Sequence, residues 1–496
     1  MRHHAILGTT FVVCVLAASL ASAQTWTPLN NQPGANVGVM IQLRDGRILF
    51  HEEQGGNSQN WHILTPDSTG SYVNGTWSSG GTLPPGYAPW FFSSQLLPGS
   101  GRHILIEGGE YNNGVQDWTN LGAYGTCIPF GPCSWVSNAP PSGWPNIGDA
   151  QSVILGNGKY LQASCCLSLT AEFNGPNNWV TSTSTTNATD EQGFTLLPNG
   201  KVLMVDAWQN PNCGNSTMAT ELRSIDQIIG GVYTMGTWSC GPNTTAQLWD
   251  SSGHELGPVV VTYDSVNNAI AFGATNNTSI YHLSSNSFTA GPTPPNNLAG
   301  YDAPASLEPN GKVLAMLGPA GGFNSGCQFV EYTPATNTIA ETVNPTDCPY
   351  EPSFVGHLMI LPTGHIMFTD FGGSVEIYTP APGTIPGTAP VITSYPSTVT
   401  HGVNNYVLQG QQLNGLTQNN AYGDDYQGDT NYPLAYLASG NQQYFLFTHS
   451  DSTHSIRKGV TMSTHFDVPS SVPPGNYILV VVANGVSSAG VAITVN

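Results

Sequence analysis

Apolar and polar positions run along this chain in short alternating blocks, interrupted by Gly, Pro and Asn. In "EQGFTLLPNGKVLMV", Glu191 to Val205, an apolar run meets a Pro-Asn-Gly turn and a second apolar run follows. That pattern predicts a β-hairpin. It recurs as "VGVMIQLRDGRILF" at 37–50, "FSSQLLPGSGRHILI" at 92–106, "DAQSVILGNGKYL" at 149–161, "DAPASLEPNGKVLAML" at 302–317 and "VGHLMILPTGHIMF" at 355–368. A weaker copy is "VVVTYDSVNNAIAFG" at 259–273. The turn residues at 45, 99, 157, 199, 267, 310 and 363 are spaced by about 53 residues on average, a period that belongs to kelch-type propeller blades. A second motif follows the hairpins, for example "WHILTPDSTGSYVNGTW" (61–77), "TAEFNGPNNWV" (170–180), "TAQLWDSSGHEL" (245–256), "SIYHLSSNSF" (279–288), "QFVEYTPATNTI" (328–339) and "SVEIYTPAPG" (374–383). These read as the third and fourth strands of each blade. The prediction is all-β: a seven-bladed kelch-type β-propeller over 24–384, then an immunoglobulin-like β-sandwich over 385–496. The joint is the Pro-rich "TPAPGTIPGTAP" (379–390), and later strands include "NYVLQGQQL", "YFLFTH", "NYILVVVA" and "GVAITV".

Composition narrows the partners. The chain begins "MRHHAILGTTFVVCVLAASLASAQ", with a basic start, an apolar stretch and Ala-Ser-Ala at 21–23. This predicts a secretory signal peptide over 1–23 and a secreted, extracellular protein with no membrane insertion. Only 8% of residues are charged, the formal net charge is −20, and ten Lys and Arg leave no basic stripe for phosphates. Nucleic acid is therefore not an expected partner. Of nine Cys, Cys14 leaves with the signal peptide, and an oxidising compartment suits the even remainder. Proximity suggests Cys127–Cys133, Cys213–Cys240 and Cys327–Cys348. Cys165 and Cys166 would then be left to each other in an eight-membered ring.

The order of signal peptide, seven kelch-like blades and immunoglobulin-like domain resembles the galactose oxidase family. The "LLPNGKV" turns, the "EYTP" strand and the ending "VPPGNYILVVVANGVSS" (472–488) carry the resemblance. It implies architecture more than chemistry. The family's copper-radical oxidases hold copper with two Tyr and two His and cross-link one Tyr to a Cys. Three of those groups begin an inner strand nine residues before the turn Gly. Counting back here gives Asp149 for the Cys, Glu191 for the cross-linked Tyr, and Phe354-Val355 for the Tyr-His pair. The remaining His is expected from the C-terminal domain, where "AYGDDYQGDTNYPL" (421–434) has none. Copper-radical oxidation is therefore not expected. His357, two residues past the matched place, reads as an outward-facing core or edge His.

The same count gives Asp302 before Gly311. Three inner strands thus begin with a carboxylate, Asp149, Glu191 and Asp302, and in a propeller such positions ring the central channel. Asp190 adjoins the second, and Glu351 precedes the last inner strand. Aromatic approach segments flank them: "GYAPWFF" (86–92) with Trp90 and Phe91, "PSGWPNIGD" with Trp144, "LAGYDAP" with Tyr301, and "CPYEPSF" with Tyr350. Aromatic faces stack on sugar C–H surfaces while acids accept hydroxyl hydrogen bonds. Converging acids raise one another's pKa, and one protonated beside one ionised carboxyl is the arrangement for glycosidic cleavage. The expectation is a carbohydrate-active protein with Asp149, Glu191 and Asp302 catalytic. The alternatives are a non-catalytic glycan-binding or scaffold protein, or acids that are solvated strand ends. No cofactor is required by this reading, although the ring could hold Ca²⁺ through oxygen ligands. Asp424, Asp425 and Asp429 form a second, imperfect Ca²⁺-loop spacing.

Overall fold

The computed structural model describes residues 24–263, 268–426 and 428–496. The expected signal peptide and the turn of the weakest hairpin lie outside the described residues.

Each sequence hairpin forms. In the hairpin of Glu191 to Val205, Thr195 pairs with Leu203 and Leu196 with Val202. Leu197 N–H donates to the Lys201 carbonyl at 2.8 Å across the turn. Gly200 sits at φ +84°, a left-handed conformation that a side chain would strain. The strand Val202–Val205 is buried at every position, because sheets cover both of its faces. Thus Val202 and Met204 share a core with Val153 and Leu161 of the preceding sheet and with Trp238.

Antiparallel sheets follow one another along the chain, mostly of four consecutive strands. One of them closes the set end to end: Thr25–Pro28 pairs with Glu376–Thr379, aligning Thr25 with Thr379. Trp26, on that closing strand, packs edge-on against Phe329 at 4.9 Å and Phe368 at 5.5 Å. One expected strand pair is corrected. Residues 245–255 form turns and irregular chain, and the outer strands of that sheet are Thr220–Arg223 and Trp238–Cys240. The "TAQLWDSSGHEL" segment has "SSG", a turn, where a strand would need apolar alternation.

After the Pro-rich joint, nine strands between Val391 and Val495 form one continuous sheet around a core that includes Leu408, Leu446, Phe466, Leu479 and Ile493. One long segment leaves this unit. Almost every described residue from 412 to 435 is buried. Asn420 and Ala421 pair with Ser306 and Ala305, Tyr426 hydroxyl donates to the Met40 carbonyl at 3.0 Å, and the Leu196 N–H donates to Gln418 Oε1 at 2.5 Å. The segment therefore reaches three separate sheets and plugs the space between them.

Disulfides join Cys127–Cys133, Cys213–Cys240 and Cys327–Cys348. The expected Cys165–Cys166 ring is not formed: both are free thiols, Cys165 buried and Cys166 exposed. Their sulfurs instead donate to Asp190 Oδ1, at 3.1 and 3.5 Å. His357 is likewise corrected. It is 2% exposed and faces inward, with Phe371, Tyr422 and Tyr426 ring centroids 5.2, 5.5 and 4.6 Å away. Burial holds its pKa down to about 3, so the ring is neutral.

Candidate functional site

The three acids found by counting back from the turn glycines meet in one cavity of about 350 Å³, which Asp149, Glu191, Glu255, Asp302 and Asp424 line together. The convergence follows from the repeat: equivalent strand starts face the same end of the sheet ring. Carboxylate oxygens of Asp149, Glu191 and Asp424 lie within 4.8 Å of one another, and so do those of Glu191, Glu255 and Asp302. Glu191 belongs to both groups and is their junction. No Lys, Arg or His is among the described lining residues.

Two of the five acids come from unexpected places. Glu255 directly precedes the strand Leu256–Val261, so it occupies a strand start in the weakest hairpin. Asp424 arrives on the plug segment. Gly423 is required there, since a Cβ would lie 2.2 Å from Asp302 Oδ1 and 2.8 Å from the Leu256 carbonyl oxygen. Asp302 itself is held by its N–H donating to that Leu256 carbonyl at 2.9 Å, with φ at +42°.

Unit charges 4.8 Å apart repel by roughly 3 kcal/mol even at an effective dielectric of about 20. Five acids therefore do not all ionise together without a counter-charge. Burial first, then Asp424 and Glu110, pushes the Asp149 carboxyl well above the usual range. Burial, then Asp149, Asp424 and Glu255, does the same to Glu191. Asp302 is raised by burial and by Glu255, its hydrogen-bond partner. Asp424 is raised by burial and Asp425, and Asp425 itself to about 7. At the rim, burial lifts Glu110 to about 6.

An aromatic wall stands over the acids. Trp90 stacks on Phe91 with centroids 4.6 Å apart, and Phe323 stacks on Phe354 at 4.6 Å. Tyr111 completes the rim. The Trp90 indole N–H is buried and has no hydrogen-bond acceptor.

Of the other expected site residues, Asp190 does not line the cavity and accepts from the two thiols. Tyr301 is buried, with its hydroxyl accepting from the Gly321 N–H and its ring edge-on to Phe323 at 5.8 Å, so it positions the wall without lining it. Trp144 is not at the cavity: it is buried against Ile147 and Ala171. Tyr350, 82% exposed, and Glu351 also lie off the cavity, because the short helical turn Cys348–Tyr350 directs them to the surface. Asp429 accepts from Gln418 Nε2 at 3.0 Å, so the 424–429 run is not a self-contained cation loop.

No protein-family model matches the sequence, and no curated protein matches it. Among solved structures, the chain is similar to a fungal alcohol oxidase of the AA5 family in complex with copper, at 14% identity and a TM-score of 0.52, over 96% of this chain and 100% of that one. A streptogramin B lyase aligns at 12% identity and a TM-score of 0.47, over 72% of this chain and 97% of that one. The first likeness shows an all-β, galactose-oxidase-like fold and nothing about chemistry. The described residues lining the cavity do not form a donor set suited to the oxidase's copper. The five clustered acids offer hard carboxylate oxygens, Tyr422 donates its hydroxyl to the Phe354 carbonyl, and His357 is enclosed by aromatic rings.

Proposed function

We propose that the protein is a secreted carbohydrate-active enzyme that cleaves a glycosidic bond in the acid-floored cavity. On this reading the sheets are the blades of a seven-bladed propeller, followed by an immunoglobulin-like sandwich that sends its plug segment down the axis. The observation that carries the functional reading is Glu191 at the junction of two carboxylate triads beneath an aromatic wall. A sugar ring lies against Trp90 and Phe91, where the unpaired indole N–H donates to a hydroxyl. Asp302, sharing a proton with Glu255, is the general acid. Its proton goes to the glycosidic oxygen as the bond to C1 breaks. Glu191, ionised, attacks C1 from the other side. Water then displaces Glu191, losing its proton to Asp302. A separation within 4.8 Å leaves no room for an intervening water, which favours the retaining course over the inverting one.

The test is reducing-end release from a panel of plant and microbial polysaccharides, with product anomers followed by NMR. Parent protein releases ends with retention of configuration, and Glu191→Gln does not. Retention of a polysaccharide without release converts the reading to a glycan-binding protein. Neither release nor retention removes carbohydrate from the account.

A further inference from the structure

Asp149, Glu191 and Asp424 bring one carboxylate oxygen each to within 4.8 Å of one another. Asp149 is 4% exposed, and its Oδ1 has no hydrogen-bond partner although it lines the cavity. A buried carboxylate oxygen left without a donor is a costly arrangement that proteins retain where something else supplies the positive partner. Hydrogen bonds from Lys or Arg do not supply it, since none lines the cavity. Protons alone satisfy part of the demand: the Glu255–Asp302 pair accommodates one by sharing it between its two oxygens.

We infer that the Asp149–Glu191–Asp424 triad is a binding site for one hard divalent cation, such as Ca²⁺ or Mn²⁺, with its open face toward the cavity. Oxygen-only donors select such ions over copper or zinc. Three carboxylates from three separate parts of the chain supply the protein side, and the remaining positions face the cavity, where water or vicinal sugar hydroxyls complete the shell. The arrangement also explains why the plug segment brings an acid into an already acidic place. Without a cation Asp424 adds either a repelling charge or one more group to protonate, whereas with a cation it adds a ligand. The inference uses the same cavity as the proposed hydrolysis and does not require it.

Calorimetric titration of chelator-stripped protein with CaCl₂ and with MnCl₂, in the absence of any sugar, tests it. One ion is expected per chain, with a dissociation constant between about 10⁻⁷ and 10⁻⁴ M. Asp149→Asn and Asp424→Asn each weaken binding at least about tenfold, whereas Asp302→Asn, outside the triad, changes it by less than about fivefold. Both triad variants keep the parent's melting temperature without cation, since each removes a repelling charge. As a measurement that needs no variant, crystals soaked in MnCl₂ show an anomalous peak between the three carboxylates. Absence of heat and of a peak at millimolar cation overturns the inference, as does binding that Asp149→Asn leaves intact. Cation binding without reducing-end release would sink the hydrolysis alone, and release by a protein that binds no cation would sink the cation site alone.

Discussion

Two groups of buried acids in this protein are handled in opposite ways. Outside the cavity, Glu172 and Asp226 are pinned by one guanidinium: Arg223 Nη2 lies 2.7 Å from Glu172 Oε1 and 2.7 Å from Asp226 Oδ1, with all three side chains at most 3% exposed. Asp451 has Arg44 at 2.6 Å in the same manner. In the cavity, Asp149 and Asp424 are buried and Glu191, Glu255 and Asp302 half-buried, and no Lys, Arg or His is among the described lining residues. The chain has ten Lys and Arg in all. It spends several on acids that only hold sheets together and none on the acids that crowd the axis. Other buried acids without a cation, such as Glu107 and the Asp206–Glu221 pair, are held by Asn138 and Asn210. The cavity differs in gathering five acids on one open space, the kind of perturbed cluster that is a candidate for an external partner.

Breaking the neutralised group gives the largest expected effect. Arg223→Met keeps most of the side-chain volume and leaves Glu172 and Asp226 buried without a counter-charge. It is expected to destabilise the protein by about 3–5 kcal/mol, read by urea denaturation. Glu191→Gln is the mirror experiment. It removes one charge from a crowd of like charges, so stability holds or rises. Glycan turnover, or retention if the protein only binds, falls at least about tenfold, equivalent to about 1.4 kcal/mol. A loss of stability in Glu191→Gln comparable to that of Arg223→Met would erase the contrast.

The pH dependence sharpens the same contrast with a smaller signal. The cavity acids bind their protons more tightly folded than unfolded, so folding takes up protons above the unfolded carboxyl pKa of about 4. Their contribution is fully present below that pH. It is lost as the pH rises through the folded values, near 6 for Glu110 at the rim and near 7 for Asp425, which adjoins the cavity acid Asp424. The melting temperature of chelator-stripped protein should fall by roughly 2–4 °C between pH 5 and 8. The double variant Asp149→Asn/Asp424→Asn should flatten that slope, while Arg223→Met, which strips two buried carboxyls of their counter-charge, should steepen it. A slope unchanged in the double variant would mean that the cavity acids are not what titrates.

The cavity was legible in the sequence wherever the repeat carried its own ruler. The turn glycines Gly158, Gly200 and Gly311 fix the register of their hairpins, and counting back nine positions led to Asp149, Glu191 and Asp302. Glu255 escaped because the sequence between Tyr263 and Asn268 has no glycine marker and the strand begins at Leu256, three residues before the repeat pattern at 259. Asp424 was visible only as part of an acidic loop. Its delivery depends on a segment docking against sheets more than a hundred residues away, which no local periodicity encodes; the cue was Gly423, whose missing Cβ makes room for Asp302. Trp144 and Tyr350 were misplaced for a simpler reason. They neighbour site residues in sequence, but they sit in turns and irregular chain where no period fixes which way a side chain faces. The pairing of six cysteines followed loop proximity, whereas the adjacent pair did not, because Asp190 offers both sulfurs an acceptor.

That adjacent pair supplies the smallest and most local test. Cys165 is buried in the core with Ala163 and Phe194, where a Cβ on Gly148 would come 2.7 Å from its own Cβ, and it donates to Asp190. Cys166 holds φ at +68° and faces solvent. The two thiols therefore differ in access and not in bonding state. Iodoacetamide applied to the folded, unreduced protein should label Cys166 and leave Cys165 until denaturant is added, giving one adduct and then two by intact mass. Cys166→Ser preserves a donor toward Asp190 and removes no buried surface, so stability should change by less than about 0.5 kcal/mol. If no thiol is labelled even after unfolding, the pair is oxidised in the isolated protein, and Asp190 is left beside the acid crowd without its two sulfur donors. In that case the boundary between partnered and unpartnered acids runs one residue further from Glu191, with Asp190 joining the unpartnered side.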